Sequence, residues 1–222
     1  MLPSQTVENY LKTIFLAQTE DPSGDALVPM GQVAGALGVV PGTATTMIKA
    51  LAESGLVRYE PYMGVRLTPA GEKLAGLVLR RHRLMELFLV KVLDMSWAEV
   101  HDEAERLEHA VSEQLIDSID NMLGRPAVDP HGDPIPSAEG RLAPMDYVDL
   151  LTAPLATAMV VTRVIDQDPA FLRFLEQQHL MPGQQVMVEQ RDRASDSVRL
   201  RISGAALTVG ARAASKVLVR PV

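Results

Sequence analysis

The chain has 222 residues, room for one large domain or two small ones at roughly 100–200 residues per domain. Apolar residues make up 47% and charged residues 22%, a globular balance that excludes disordered and collagen-like classes. Cysteine is absent, which excludes disulfides, zinc ribbons, iron–sulfur clusters and thiol nucleophiles and restricts any metal site to nitrogen, oxygen or thioether ligands. The net charge is −7, and taken whole it argues against a nucleic-acid partner. The acidity is uneven: 15 of the 28 acidic residues fall in residues 76–150, where bound cations would neutralise part of it. Residues 1–6 show no basic segment leading into an apolar one. No apolar run approaches the ~20 residues that span a bilayer. A cytoplasmic protein with no membrane partner is expected.

In chain order, residues 6–18 place Val7, Tyr10, Leu11, Ile14 and Phe15 on one helical stripe. A polar loop with Pro22, Gly24 and Pro29 follows. Residues 30–37 read as a helix that Gly38 ends, and Pro41 suits the opening of a second helix that includes residues 43–53. Short strands at 57–59 and 65–67 flank Pro61-Tyr62-Met63-Gly64, a hairpin. Thr68 and Pro69 then cap and open another helix. Helix, tight turn, helix and hairpin in that order is the winged-helix layout, in which the second helix enters the DNA major groove. Its exposed face offers Thr43, Thr45, Thr46 and Lys49, hydroxyls and a cation suited to phosphates or base edges, and Arg58 and Arg66 stand on the two strands.

Two helical segments come next, 74–93 and 97–122. The first holds His82 and Glu86, four apart and therefore on one face. The second places His101, Glu105, Glu108 and His109 at i, i+4, i+7 and i+8, again one face. Imidazoles and carboxylates on facing helices are how helical bundles hold divalent metals. A set without sulfur suits Mn²⁺ or Fe²⁺. The competing reading is a solvated acidic face with incidental histidines. His131 and His179 are expected to be ordinary surface residues.

Residues 124–153 hold Pro126, Pro130, Pro134, Pro136 and Pro144 with three glycines, a loop-rich linker with room for a short helix at 145–151. Residues 154–222 read as strands at 186–189, 198–202 and 216–220, interrupted by a helix at 169–179. The expected organisation is a winged helix at 1–73, metal-binding and dimerisation helices at 74–123, the linker, and a β-rich domain at 154–222.

With these motifs in one chain, the sequence resembles the diphtheria-toxin-repressor family of metal-dependent transcriptional regulators, which has iron- and manganese-responsive branches. The resemblance rests on Val7-Glu8-Asn9-Tyr10-Leu11-Lys12-Thr13-Ile14, Ser54-Gly55-Leu56-Val57, Leu67-Thr68-Pro69-Ala70-Gly71, Arg81-His82-Arg83-Leu84, Glu108-His109 and Asp133-Pro134-Ile135-Pro136. It implies a mainly α fold with a winged helix-turn-helix, a helical dimerisation domain and a C-terminal SH3-like β-barrel of the FeoA kind. It also implies two metal sites per subunit. His82, Glu86 and His101 match an ancillary site, with Asp168 as the donor from the C-terminal domain and Asp166, Gln167 or Glu176 as alternatives. Glu105, Glu108 and His109 match a primary site, with Asn9 at the position of the first-helix ligand. A glutamate at 105, where iron-responsive members tend to have cysteine, tilts the metal towards Mn²⁺ over Fe²⁺. His101 is more typical of the iron branch. Lys12 stands where some manganese-responsive members place a second carboxylate.

The implied protein is a homodimeric repressor of metal-uptake genes that binds a pseudo-palindromic double-stranded DNA operator. Two other readings remain open: a winged-helix regulator with an organic effector, and a metal-dependent hydrolase. The hydrolase reading has no HExxH helix, G-x-S-x-G turn or phosphate-cradling loop behind it, so no enzyme activity is expected.

Overall fold

The computed structural model describes residues 4–19, 27–143 and 147–222. The loop at Pro22 and Gly24 and residues 145–146 of the short helix expected at 145–151 lie outside the described residues. The chain divides into two compact units, Met1–His82 with Pro136–Leu142, and Arg83–Ile135 with Ala143–Val222.

The first unit begins with α1 (Gln5–Thr19), whose stripe buries Tyr10, Leu11 and Ile14. Helix α2 (Met30–Ala36) ends at Gly38, where φ is +64°, a left-handed conformation that glycine adopts without a Cβ clash. Helix α3 (Pro41–Glu53) opens on Pro41 in its first turn and buries Ala44, Ile48 and Leu51. Strands β1 (Val57–Glu60) and β2 (Gly64–Leu67) pair antiparallel, Arg58 opposite Arg66 and Tyr59 opposite Val65. Val28 adds a bridge to Val65, with N–H to O distances of 2.8 and 3.0 Å in the two directions. The Thr68 hydroxyl accepts from the Gly71 N–H at 3.2 Å and donates to the Gly55 carbonyl at 2.7 Å. It thereby caps α4 (Pro69–Leu93) and ties it to the start of the hairpin.

The linker residues are packed. The segment Pro136–Leu142 belongs to the first unit. There Arg80 Nη1 donates to the Pro136 carbonyl at 2.9 Å. Gly76 and Gly140 meet so closely that a Cβ on Gly76 would stand 2.0 Å from the Gly140 carbonyl oxygen.

In the second unit, the helix expected over 97–122 is two helices, α5 (Val100–Leu107) and α6 (Glu113–Met122). Glu108 is the C-cap of α5, and Ser112 caps α6 by accepting from the Leu115 N–H at 3.2 Å. A serine hydroxyl that takes a free helical N–H starts a new helix more readily than it continues an old one. The single face proposed for His101, Glu105, Glu108 and His109 therefore ends at Glu108, and His109 lies in the turn beyond. Leu84, Met85, Leu89, Val100, Ala104, Ile116 and Ile119 form the apolar cluster of these helices.

The rest of the second unit is a six-stranded antiparallel sheet in the order β3-β8-β4-β5-β6-β7. Its strands are β3 (Val148–Asp149), β4 (Ala158–Val164), β5 (Gln185–Asp192), β6 (Ser197–Ile202), β7 (Ala205–Gly210) and β8 (Val217–Pro221). Helices α7 (Pro169–Gln177) and α8 (Ala211–Ala214) connect them. Within the stretch where a short helix was expected, Val148 and Asp149 instead pair with Val219 and Leu218 of β8. Inward residues at alternating positions, Val186 and Val188 on β5 and Val198, Leu200 and Ile202 on β6, build the sheet's core with Trp97, Leu172 and Leu175. No helix among the described residues is long and apolar enough to cross a membrane.

Candidate metal centre and DNA-binding face

Helix α4 carries His82 and, one turn later, Glu86, whose side chain is fully buried. Glu86 is the hub of the second unit's donor set. Its Oε1 lies 3.2 Å from His101 Nδ1 on α5, and its Oε2 lies 3.7 Å from Nδ1 of His131. His101 Nε2 in turn lies 3.9 Å from Glu105 Oε1. At the end of α5, His109 Nε2 and Glu108 Oε1 are 3.2 Å apart, with Glu108 fully buried.

His131 overturns the surface role expected for it: it is completely buried. Its Nε2 is 2.7 Å from the Trp97 carbonyl and its ring stacks on the Trp97 indole at 5.6 Å. With Nε2 so placed as the donor, Nδ1 faces Glu86 and Asp129. Both distances, 3.7 and 4.0 Å, are too long for a hydrogen bond.

Asp129 shapes the loop that delivers His131. Its Oδ1 accepts the N–H groups of His131 at 2.8 Å and Asp133 at 2.9 Å. Asp129 Oδ2 and His131 Nδ1 are both buried and find no hydrogen-bond partner among the described residues. Glu86, Asp129 and His131 each present a ligand atom within 4.8 Å of the others. Burial raises the Asp129 carboxyl above its usual range, and the negative Asp133 and Glu86 raise it further. Burial opposes the His131 imidazolium, but Glu86 and Asp129 outweigh it and push its pKa up to about 9. Arg83 Nε, 3.7 Å from Asp129 Oδ2, is the cation beside this carboxylate. The neighbouring Asp133 is already neutralised. It meets Arg83 Nη2 at 3.3 Å and Arg163 Nη2 at 2.6 Å, and accepts from Gln167 Nε2 at 2.9 Å.

Asp168, the expected donor from the C-terminal domain, is also a helix cap. Its Oδ1 caps α7, accepting from the Ala170 N–H at 3.0 Å and the Phe171 N–H at 2.9 Å. Asp166 pairs with Lys216, and Glu176 is exposed. Of these four positions, Gln167 is the one that reaches the loop carrying His131.

In the first unit, Asn9 Oδ1 on α1 is buried with no hydrogen-bond partner among the described residues. Its neighbour Glu8 pairs with Arg81 Nη2 at 2.6 Å, both nearly buried, which fixes α1 against α4. On α3, Thr43, Thr46 and Lys49 are exposed and Thr45 is half-buried. The Thr45 and Thr46 hydroxyls donate to the carbonyls of Pro41 and Gly42 at 2.9 and 3.0 Å, leaving their lone pairs as acceptors only. Arg58 stands directly across the hairpin from Arg66.

A winged helix in one unit and a buried nitrogen–oxygen donor set in the other define a metal-responsive DNA-binding protein. Three family models match the chain in succession: the iron dependent repressor N-terminal DNA binding domain over residues 3–65, the iron dependent repressor metal binding and dimerisation domain over 68–137, and the FeoA domain over 148–221. The chain is 33% identical over 122 residues to the HTH-type transcriptional regulator MntR of Lysinibacillus sphaericus, covering 55% of this chain and 84% of that protein. It is 35% identical over 132 residues to the iron-dependent repressor IdeR of Mycobacterium tuberculosis, covering 59% of this chain and 55% of that one. The match thus spans about half the length of that mycobacterial relative. A solved manganese-dependent transcriptional repressor in complex with manganese superposes with a TM-score of 0.87 at 37% identity, covering 97% of this chain and all of the other. The chain belongs to the DtxR/MntR family of metal-dependent transcriptional regulators, with a winged helix-turn-helix, a helical dimerisation domain and an SH3-like FeoA domain.

Proposed function

We propose that the chain is a cytoplasmic, metal-activated repressor of metal-uptake genes that responds to Mn²⁺, with Fe²⁺ as the alternative ion. The observation that carries this reading is the buried trio Glu86, Asp129 and His131, each presenting a ligand atom within 4.8 Å of the others, in a chain that also bears a winged helix. All the donors are nitrogen or oxygen, the preference of the harder divalent ions. Bound Mn²⁺ would be held by these carboxylates and by the His131 imidazole.

The chain's own residues do the rest. His82, Glu86, His101, Asp129 and His131 form one candidate donor group. Glu105, Glu108 and His109 form the other, giving two sites per subunit, and Asn9 is the first helix's candidate donor. Trp97 and the Asp129 loop hold the His131 ring in a fixed tautomer and orientation. Lys49, Arg58 and Arg66 supply phosphate contacts, and Thr43, Thr45 and Thr46 supply acceptor oxygens at the groove. The domain limits proposed are 1–73, 74–123, 124–153 and 154–222. A two-fold dimer would present two α3 helices to half-sites about 34–36 Å apart, hence a pseudo-palindromic operator.

Mobility-shift titrations with and without Mn²⁺ test the reading. Tight duplex binding with Mn²⁺, lost on chelation, is expected, and equal affinity in both conditions would sink it. A carboxylate in place of the Asn9 amide adds a full charge at an orphaned oxygen. Asn9→Asp is therefore expected to tighten Mn²⁺ binding by about tenfold; calorimetry showing no change would remove Asn9 from the donor set.

A further inference from the structure

The outer face of the C-terminal sheet carries a cavity that neither the metal sites nor the DNA-binding face uses. Val198 and Leu200 alternate inward along β6, so Ser197, Arg199 and Arg201 stand on the opposite face. Across the strands, Arg199 lies between Gln190 of β5 and Thr208 of β7, and Ser197 lies opposite Asp192 of β5. Gln190, Asp192, Ser197, Arg199 and Thr208, with Ser195 of the β5–β6 turn, line a cavity of about 200 Å³. That volume is below the roughly 300–1,000 Å³ of drug-sized sites, which limits the occupant to a small metabolite. The lining has no aliphatic or aromatic side chain, which makes the occupant polar.

Two of the six residues carry charge, and the charges are of opposite sign. Arg199 makes no hydrogen bond or ion pair among the described residues. Its neighbour Arg201, by contrast, is taken up by Glu189 at 2.5 Å and by the Gly204 carbonyl at 3.3 Å. Asp192 Oδ1 holds the turn, accepting from the Ala194 N–H at 2.9 Å and the Ser195 N–H at 3.4 Å. The Ser195 side chain and these two N–H groups hold the Asp192 carboxyl below its usual range, so it is ionised at neutral pH. No cation pairs with it among the described residues.

In the register Asp192 and Arg199 are diagonal neighbours, a separation of about 7–8 Å that long side chains can close. Yet no ion pair joins them among the described residues. Charge then decides the class of ligand. A simple anion would gain Arg199 and be repelled by Asp192, and a simple cation would meet the reverse. A small molecule that bears both charges satisfies both walls at once.

We propose that this cavity binds a free α-amino acid as its zwitterion, with the carboxylate on the Arg199 guanidinium and the ammonium on the Asp192 carboxylate. A guanidinium presents parallel N–H groups that match a carboxylate. The Thr208 and Ser197 hydroxyls and the Gln190 amide flank Arg199 and Asp192 and supply further hydrogen bonds. The polar lining selects a small or polar amino-acid side chain. None of the six residues belongs to either metal donor group, so the site stands independently of the regulator reading.

The test uses the full-length chain with no added metal, because amino acids chelate Mn²⁺. Calorimetry against each of the standard L-amino acids should find at least one small or polar member that binds with a Kd of about 1 mM or tighter. Its N-acetyl derivative lacks the ammonium and its amide lacks the carboxylate, and each should bind at least about tenfold more weakly. Asp192→Asn and Arg199→Gln each remove one charge and should do the same. Asn keeps the oxygen that holds the turn, and Arg199 is exposed, so both thermal midpoints should stay at the wild-type value. Backbone amide NMR signals of Gln190, Arg199 and Thr208 should shift on titration. Binding of none of the amino acids would overturn the proposal. So would a derivative that binds as tightly as its parent, full affinity in both variants, or shifts confined to residues outside β5, β6 and β7. The derivatives act on wild type, so they decide the question even where a variant does not fold.

Discussion

Glu86→Gln is expected to weaken Mn²⁺ binding by at least about a hundredfold, more than any other single change in the donor set. Even the loss of a residue that merely supports a ligand typically costs about 10–100-fold in metal affinity, and Glu86 stands at the centre. Its two oxygens face two histidines, His101 at 3.2 Å and His131 at 3.7 Å, from a side chain with no solvent exposure. Glutamine has the same shape, so α4 and its packing should persist. It removes the negative charge that both imidazoles face and sets an amide N–H₂ against one of them. His101→Ala and His131→Ala divide the effect, each removing one side of the hub. Trp97, the only tryptophan in the chain, stacks on His131, so its emission reports the His131 side. Wild type is expected to change emission on Mn²⁺ addition, and His131→Ala to lose that response while keeping His101 in place. Calorimetry gives the affinities. A Glu86→Gln protein that binds Mn²⁺ as tightly as wild type would remove Glu86 from the centre.

The winged helix was legible in the sequence because its boundaries are written in residues with few alternatives. Gly38 must end a helix in a left-handed conformation, Pro41 can only open one, and Thr68-Pro69 is a cap followed by a first-turn proline. The helix-borne candidates His82, Glu86, His101 and Glu105 were legible from spacing alone, since residues four apart share a face. The break between α5 and α6 was not. Ser112 is one capping hydroxyl, and no glutamate or glutamine stands three residues on to complete a capping box. Strand β7 was hidden for another reason: Ala205-Ala206-Leu207-Thr208-Val209-Gly210 has little β-propensity and is held as an edge by pairing to β6.

The largest omission was His131. Proline and glycine around it read as a loop-rich linker, because composition registers chain flexibility and not close approach. A signal was present in the alternation of Asp129, His131 and Asp133, three potential ligands or ligand supports two residues apart. Alternation of that kind in a loop has meaning only if the loop is buried, and burial here follows from long-range contacts that no local pattern encodes. Asp168 carries a local signal of its own: Asp followed by Pro is a strong helix-start pattern, and its Oδ1 accepts both cap hydrogen bonds of α7.

The loop that delivers His131 depends on one glycine, and Gly132→Ala is expected to be the most damaging small substitution in the chain. Gly132 has φ = +86°, and a Cβ built there would lie 1.8 Å from the carbonyl oxygen of Thr162 and 2.7 Å from Arg163 Cα. Both neighbours are backbone of β4, which is pinned on its two sides by β5 and β8, so no side-chain rotation relieves the clash. Gly183 provides the control. It has φ = +92° with nothing within 4 Å of its Cβ position, so Gly183→Ala meets the conformational cost alone, about 1–2 kcal/mol. Gly132→Ala adds the displacement of a buried loop that holds Asp129 between two backbone N–H groups and accepts the Val164 N–H at the His131 carbonyl, 2.8 Å away. A loss of about 4 kcal/mol or more is expected, the range reserved for core disruption and backbone strain combined. Chemical denaturation of the two alanine variants measures the difference. If both fold, Mn²⁺ titration should show Gly183→Ala unaffected and Gly132→Ala weakened, because moving the loop by even one ångström carries His131 Nδ1 away from Glu86. Equal stability and equal affinity in the two variants would mean that β4 yields to the loop, and that His131 is held by its own contacts to Trp97 and Asp129 and not by the close approach at Gly132.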